Sequence, residues 1–193
     1  MRQLLTTAFK NTIAQIEAEM AVMPLTRRNE SVFRFIFSRA VTELDSTINQ
    51  FFECDRIDLV LRRPGECAFV EFKFYIHSPR YDPTTEKTIG FKGGPSKKNR
   101  DEFEHSIEHL RDQPAPRKSL KLVALFYSDP DASRGYDRYY GDNSGVECEL
   151  SIRRLVSIRP FSVRGSEGNC KARLYEVPAR SWTAGYGKQR LAD

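Results

Sequence analysis

The chain has 193 residues, which is enough for one domain with a sizeable hydrophobic core. Charged residues make up 30% of it and hydrophobic ones 39%, and no apolar run approaches the roughly 20 residues that span a bilayer, so the composition argues against a disordered or membrane-spanning protein. The formal net charge of +5 and the pI near 9.1 favour a polyanionic partner.

Features at the N-terminus and the spacing of the cysteines predict a cytoplasmic protein. Charged residues such as Lys10 and Glu17 interrupt the apolar core that a signal peptide needs. The four cysteines form neither a CxxC pair nor a dense framework, so we expect reduced thiols and no structural zinc site. No internal repeat or linker divides the chain, which predicts a single domain over residues 1–193.

Two amphipathic helices open the predicted fold. Residues 3–22 place apolar side chains on one stripe, and Pro24 ends this helix. We interpret the stripe as a packing face or, alternatively, as the contact of a homodimer through the N-terminal helix. A second helix starts near Asn29 to Ser31, with either of these residues as its cap, and runs to about Leu44. Glu30 lies in its first turn, where the helix dipole favours a carboxylate.

Three strands are predicted next. The first covers residues 46–54, and two antiparallel strands around a Pro-Gly turn fill residues 54–75. Side chains alternate across a strand, so Glu71 and Lys73 project from the same face. Charged side chains are rarely buried without a partner, and Asp58 on the preceding strand could reach the same place across the ladder.

A basic loop, a third helix and a central strand follow. The loop after Tyr75 combines turn residues with lysines and arginines, which suits a phosphate-bearing substrate, although a merely solvated loop is the alternative. Ser96 caps a helix from Lys97 to about Asp112. Residues 120–127 form an apolar run that predicts a strand buried on both faces.

The C-terminal part has weaker signals. Residues 128–144 predict a polar loop whose arginines and tyrosines could contact bases, with a plain surface loop slightly favoured. Residues 145–158 are ambiguous, because Ser144 and Glu147 make a helical capping box while the apolar residues alternate like a strand; we favour the helix. Residues 170–177 predict a last strand.

The arrangement of Asp58, Glu71 and Lys73 resembles the D…ExK signature of the PD-(D/E)xK nuclease superfamily, which includes many restriction endonucleases, resolvases and repair exonucleases. Ile57 stands where many members carry proline, and the resemblance covers roughly residues 30–127. It implies an α/β fold with a central mixed sheet flanked by helices. In detail, it implies a restriction-endonuclease-like αβββαβ core with an extra N-terminal helix and C-terminal additions.

The resemblance implies a metal-dependent nuclease that hydrolyses phosphodiester bonds, with DNA favoured over RNA. Mg²⁺ or Mn²⁺ would be held by Asp58, Glu71 and the main-chain carbonyl of Phe72. Glu30 would complete this site, and Glu43 is the fallback for that role. The alternative for Glu71 and Lys73 is a solvated pair on the wet face of an antiparallel sheet. For Asp58 the alternative is an edge charge or a salt bridge to Arg56 or Arg62.

Other residues would bind and polarise the substrate. Together with the three acids Asp58, Glu71 and Glu30, Lys73 forms the expected catalytic set, in which it would orient the attacking water or stabilise developing negative charge. Nucleic acid would contact a group of basic and amide side chains near the third helix: Lys92, Lys97, Lys98, Asn99 and Arg100. Two alternative functions stay open, namely a non-cleaving nucleic-acid-binding module of the same fold and a protein-interaction factor of the immunity or anti-defence kind.

Overall fold

The chain folds into an α/β architecture in which helices flank a six-stranded mixed sheet. The computed structural model describes residues 1–19, 29–82, 84–85, 87–92, 96–114, 116, 118–129, 144–162 and 169–179. The helices of this part are α1 (Arg2–Glu19), α2 (Glu30–Leu44), α3 (Lys97–Asp112) and the short α4 (Ser144–Glu149). Its strands are β1 (Asn49–Cys54), β2 (Ile57–Arg63), β3 (Glu66–Tyr75), β4 (Ser78–Tyr81), β5 (Thr88–Lys92), β6 (Ser119–Asp129), β7 (Arg153–Ser162) and β8 (Asn169–Glu176).

The main sheet has the strand order β1-β2-β3-β6-β8-β7, and β4 and β5 form a separate hairpin. The β3–β6 pair is parallel, whereas the other four neighbouring pairs of the main sheet are antiparallel. A parallel pair needs a crossover connection, which here contains the β4–β5 hairpin and α3. The strand order places β3 and β6 in the middle of the sheet. β6 is buried on both faces, as predicted for residues 120–127.

A tight turn between β2 and β3 sets the register of the strands that carry the motif. Gly65 has φ of +75°, a left-handed conformation that glycine adopts without steric cost. The turn brings Arg63 opposite Glu66 and, further along, Leu59 opposite Val70. The predicted antiparallel pair around a Pro-Gly turn is confirmed, and a slip of one residue would move every side chain to the other face.

Helices α1 and α2 cover one face of the sheet with an aromatic core. The rings of Phe33 and Phe72 meet edge to face with their centroids 5.3 Å apart, and Phe37 packs against Phe72 at 5.4 Å. The apolar stripe of α1, including Leu5 and Phe9, is fully buried in this cluster, which confirms its role as a packing face. Because this face is already covered by the same chain, it gives no support to the homodimer, which stays a prediction.

Helix α3 covers the opposite face of the sheet. The predicted cap is confirmed, since the Ser96 hydroxyl accepts a hydrogen bond of 3.2 Å from the main-chain amide of Asn99. The apolar stripe of α3 is fully buried and consists of Phe103, Ile107 and Leu110. Lys121 of β6 donates hydrogen bonds to the carbonyls of Arg111 and Gln113, at 2.9 Å and 2.7 Å, and so satisfies the C-terminal end of the helix.

Removal of this helix-end contact should destabilise the protein. We expect Lys121→Met to lower the free energy of unfolding by about 2 kcal/mol, because two hydrogen bonds from a charged group are lost. For a chain of this size, this corresponds to a fall in the melting temperature of about 5 °C. Lys118→Met, in the exposed turn before β6, makes the same chemical change and should leave unfolding in guanidinium unaltered. Equal unfolding curves for the two variants would contradict the contribution of Lys121.

Two expectations from the sequence are wrong. The stretch after Tyr75, expected to be a loop, contains the β4–β5 hairpin, in which Ser78 lies opposite Lys92. The helix favoured for residues 145–158 ends at Glu149, and the rest of that segment enters β7, since pairing with β8 outweighs the local capping signal.

Other predicted boundaries are close to the observed ones or lie outside the described residues. The first strand begins at Asn49 rather than residue 46, because residues 46–47 form a turn. The last strand agrees closely with residues 170–177. Pro24 and nearly all of the polar loop predicted for residues 128–144 are outside the described residues. Among the helices of the described ranges, none combines the length and the apolar character that a membrane crossing requires.

Candidate active site

A cluster of charged side chains forms where β1 turns into β2, beside the middle of β3. Asp58 is the second residue of β2, and extending the β2–β3 register by one pair places it opposite Glu71. Opposite residues of antiparallel strands share a face, and so do Glu71 and Lys73 as alternate residues of β3. The strands therefore bring the three residues of the predicted motif to one place.

Glu71 is a buried acid whose charge is poorly compensated. Its residue is 5% exposed, and its Oε2 lies 3.8 Å from Nζ of Lys73, an ion pair longer than a hydrogen bond. Within the described part of the chain, its other carboxylate oxygen, Oε1, is buried without a hydrogen-bond donor. Burial, reinforced by the charge of Asp58, raises the pKa of Glu71 to about 8, although Lys73 opposes the shift. At neutral pH, Glu71 therefore keeps its proton unless another cation enters the site.

Asp58 is held in a fixed orientation by two donors. The main-chain amide of Phe72 donates to its Oδ2 at 2.8 Å, and the Arg34 guanidinium donates to its Oδ1 at 3.0 Å. The amide bond ties the carboxylate directly to the strand that carries Glu71. The side chain of Phe72 is buried in the aromatic core, so the geometry of this amide is fixed by packing.

Helix α2 contributes Glu30 from its first turn. Asn29 caps the helix by accepting a hydrogen bond of 3.0 Å from the amide of Val32, which fixes the point at which α2 begins. Burial raises the pKa of Glu30, the charge of Lys73 opposes this, and the charge of Asp58 adds to it. Glu30 therefore lies within electrostatic reach of two motif residues.

The fallback residue for the helix acid is placed differently. Glu43 is an exposed residue near the C-terminal end of α2, where it pairs with Arg39 at 3.5 Å. No contact joins it to the motif residues within the described ranges. The structure thus brings Glu30, and not Glu43, to the cluster.

Two further members of the cluster, Arg34 and Glu53, do not follow from the motif. Arg34 lies one helical turn after Glu30, a spacing that puts both on one face of α2. Its guanidinium bridges Asp58 to Glu53, the penultimate residue of β1. Glu53 has φ of 52°, an uncommon conformation for a residue other than glycine. The i, i+4 spacing of Glu30 and Arg34 was a signal in the sequence, whereas Glu53 had none.

The donor set suits a hard divalent cation of the magnesium type. Among the residues that the structure describes, no three His, Cys, Asp or Glu side chains are arranged to hold a metal ion. Mg²⁺, however, is often bound through one or two carboxylates while it keeps several waters. Asp58 and Glu71 are adjacent carboxylates, and Oε1 of Glu71 is buried with no donor in the described residues. A cation there would satisfy that oxygen and compensate the buried charge.

The residues expected to contact nucleic acid differ in their exposure and in the contacts that they already make. Lys97 and Lys98 are exposed at the start of α3, where Lys98 pairs with Glu102 at 3.8 Å. Asn99 uses its main-chain amide in the helix cap. The side chain of Lys92, at the end of β5, is outside the described set.

Arg100 has a structural role that the sequence did not indicate. Its largely buried guanidinium forms ion pairs with Glu104 on the same helix and with Glu149 of α4, the latter at 3.3 Å. These pairs join α3 to α4. The assignment of Arg100 as a nucleic-acid contact is therefore less favourable than that of Lys97 and Lys98, because its charge is already balanced.

Comparisons with protein-family models, curated proteins and solved structures found no match to this chain. The fold and the site together define an α/β protein with a cluster of carboxylates and two cations where β1 turns into β2, beside the middle of β3. The function is therefore inferred from the chemistry of this cluster.

Proposed function

We propose that this protein is a divalent-metal-dependent nuclease of the PD-(D/E)xK type, which hydrolyses phosphodiester bonds of nucleic acid, with DNA favoured. The observation that carries the proposal is the convergence of Asp58, Glu71 and Lys73 from two neighbouring strands with Glu30 from the preceding helix. The order α2-β1-β2-β3-α3-β6 also agrees with an αβββαβ core, into which the β4–β5 hairpin is inserted. A solvated surface pair does not account for a buried glutamate with an unsatisfied oxygen.

The acids of the cluster would hold the cation. Asp58 and Glu71 would supply carboxylate oxygens, the carbonyl of Phe72 is the further predicted ligand, and Glu30 would complete or widen the site. When bound, a divalent cation supplies Lewis-acid stabilisation of the phosphate and makes an attacking water more acidic. The amide of Phe72 keeps Asp58 oriented toward Glu71 throughout, because the hydrogen bond comes from rigid main chain.

Lys73 would act on the substrate rather than on the cation. Its ammonium lies on the same face as Glu71, with its side chain mostly buried, so its position is restricted by the surrounding protein. A fixed positive charge beside the reacting phosphate stabilises the charge that develops in the transition state. The same ammonium can donate a hydrogen bond that orients the attacking water.

The charge of the chain supports a polyanionic substrate. The formal net charge is +5, and Lys97 and Lys98 provide exposed cations at the start of α3. Each phosphate that such side chains neutralise releases counterions, so binding should weaken steeply with salt.

Cleavage in the presence of metal tests the proposal directly. Supercoiled plasmid, linear DNA and single-stranded RNA are incubated with the protein in Mg²⁺ or Mn²⁺, and matched samples receive EDTA. We expect metal-dependent cleavage of DNA that EDTA abolishes and that high salt reduces. DNA that stays intact with both metals, across low and high pH, would contradict nuclease activity.

One observation favours a second candidate, a module that binds nucleic acid without cutting it. Both oxygens of Asp58 are already engaged by protein donors, Arg34 and the amide of Phe72. If this arrangement persists, the basic surface could bind nucleic acid while the cluster stays without metal. Salt-sensitive binding in a mobility-shift assay, with no cleavage under any metal condition, would support this alternative.

A further inference from the structure

We infer that Arg34 is a positioning residue that holds Asp58 when no metal is bound and releases it toward Glu53 when a divalent cation enters. Arg34 would thus compete with the cation for one oxygen of Asp58 and set the affinity for metal. This inference rests on the proposed function, since it concerns the same cluster, and it assigns a role to two residues outside the D…ExK motif.

The contacts of Arg34 divide between two acids that differ in their freedom to move. The guanidinium donates to Oδ1 of Asp58 at 3.0 Å, and it also pairs with the carboxylate of Glu53. Its own side chain is 14% exposed, as is that of Asp58, whereas the side chain of Glu53 is 67% exposed. Glu53 can therefore follow the guanidinium, while Asp58 cannot.

The second oxygen of the Asp58 carboxylate keeps its partner in the exchange. Oδ2 accepts a hydrogen bond of 2.8 Å from the amide of Phe72, in the middle of the sheet. This bond keeps the carboxylate oriented when Arg34 leaves. The exchange removes the contact of Arg34 with Oδ1 and its longer contact, at 3.5 Å, with the main-chain carbonyl of Asp58. Because the bond to Phe72 remains, a cation beside Glu71 can take the place of the guanidinium without rearrangement of the strands.

The charge balance of the cluster also favours the exchange. Four carboxylates, those of Glu30, Glu53, Asp58 and Glu71, face the two cations Arg34 and Lys73. With all four acids ionised the sum is −2, which one divalent cation neutralises. Retention of Arg34 on Asp58 would instead place two cationic groups on one carboxylate oxygen, which their mutual repulsion disfavours.

Metal affinity measured by titration calorimetry tests the inference without any cleavage assay. Mn²⁺ and Ca²⁺ are titrated into the wild-type protein and into Arg34→Gln. We expect the Kd for these metals to be about tenfold lower in Arg34→Gln than in the wild type, because a competing positive charge is removed. The metal-free variant should melt at a lower temperature than the wild type. Added Mn²⁺ should raise the melting temperature of the variant by more than it raises that of the wild type.

A second pair of variants tests the partner of Arg34 at the exposed rim. Glu53→Gln removes the acid that receives the guanidinium, so Arg34 should stay on Asp58 and the Kd should rise by about tenfold. Asp55→Asn removes the same charge from the exposed β1–β2 turn, where Asp55 has φ of 52° and asparagine is tolerated. This control should change the Kd by about twofold at most, since Glu53 pairs with Arg34 whereas no ion pair joins Asp55 to Arg34 among the described residues.

The outcomes distinguish a failure of the proposed function from a failure of the inference alone. If neither the wild type nor Arg34→Gln binds metal, the proposed function and the inference both fail. If both proteins bind with the same Kd, or the variant binds more weakly, the inference alone is overturned. If Arg34→Gln does not fold, equal Kd values for Glu53→Gln and Asp55→Asn overturn the inference, and a selective rise for Glu53→Gln supports it.

Discussion

Exchange of Lys73 for methionine is expected to slow DNA cleavage by about a thousandfold while the protein stays folded. Methionine keeps most of the length and the apolar stem of lysine, so the packing around the mostly buried side chain is retained. The ammonium, which lies 3.8 Å from Oε2 of Glu71, is lost. Initial rates on supercoiled plasmid in saturating Mg²⁺ measure the effect, with circular dichroism and the melting temperature as checks of the fold.

Two comparisons make the result specific to the site. Lys118→Met changes the net charge equally in an exposed turn and should cleave at nearly the wild-type rate. Affinity for Mn²⁺ should be retained or increased in Lys73→Met, because a positive charge beside Glu71 is removed. A folded, metal-binding Lys73→Met protein with the wild-type rate would contradict the proposed role of this lysine.

The elements that the sequence predicts well are those fixed by local chemistry. Ser96, and Asn29 as one of the two predicted caps of α2, each accept a hydrogen bond from an amide three residues later. The Pro-Gly turn at Gly65 likewise fixes the register of β2 and β3. In each case, residues close in the chain determine the structure, so a pattern in the sequence is sufficient.

The elements that the sequence misses depend on distant partners. Residues 153–158 follow a helical capping signal, but they form β7 because β8 pairs along them. In the same way, Arg34 joins the cluster through Asp58, which lies 24 residues further along the chain. The motif locates Asp58 and Glu71, and the spacing of Glu30 and Arg34 places both on one face of α2, but the contact between Arg34 and Asp58 depends on how the helix packs against the sheet.

The pH dependence of stability should change markedly in Glu71→Gln. Burial and the charge of Asp58 raise the pKa of Glu71 from 4.5 to about 8 in the folded protein. Between these values, the folded state holds a proton that the unfolded state releases, so the free energy of unfolding falls as pH rises, by up to about 1.4 kcal/mol per pH unit. The stabilisation is complete below pH 4.5 and lost above about pH 8. Glutamine cannot ionise, so the variant should lack this loss.

Melting curves from pH 5 to pH 8.5 measure the effect as the difference between the variant and the wild type. We expect Glu71→Gln to gain about 5 °C or more relative to the wild type across this range, since each kcal/mol is worth roughly 2–4 °C in a chain of this length. Glu43→Gln makes the same chemical change at an exposed position of α2 and should parallel the wild type. At pH 8, Mn²⁺ should restore the stability of the wild type, whose ionised Glu71 then gains a counterion, but have little effect on Glu71→Gln. Parallel curves for Glu71→Gln and the wild type would mean that Glu71 is solvated and ionised at neutral pH. The proposed metal site would then lack the buried carboxyl group on which it depends.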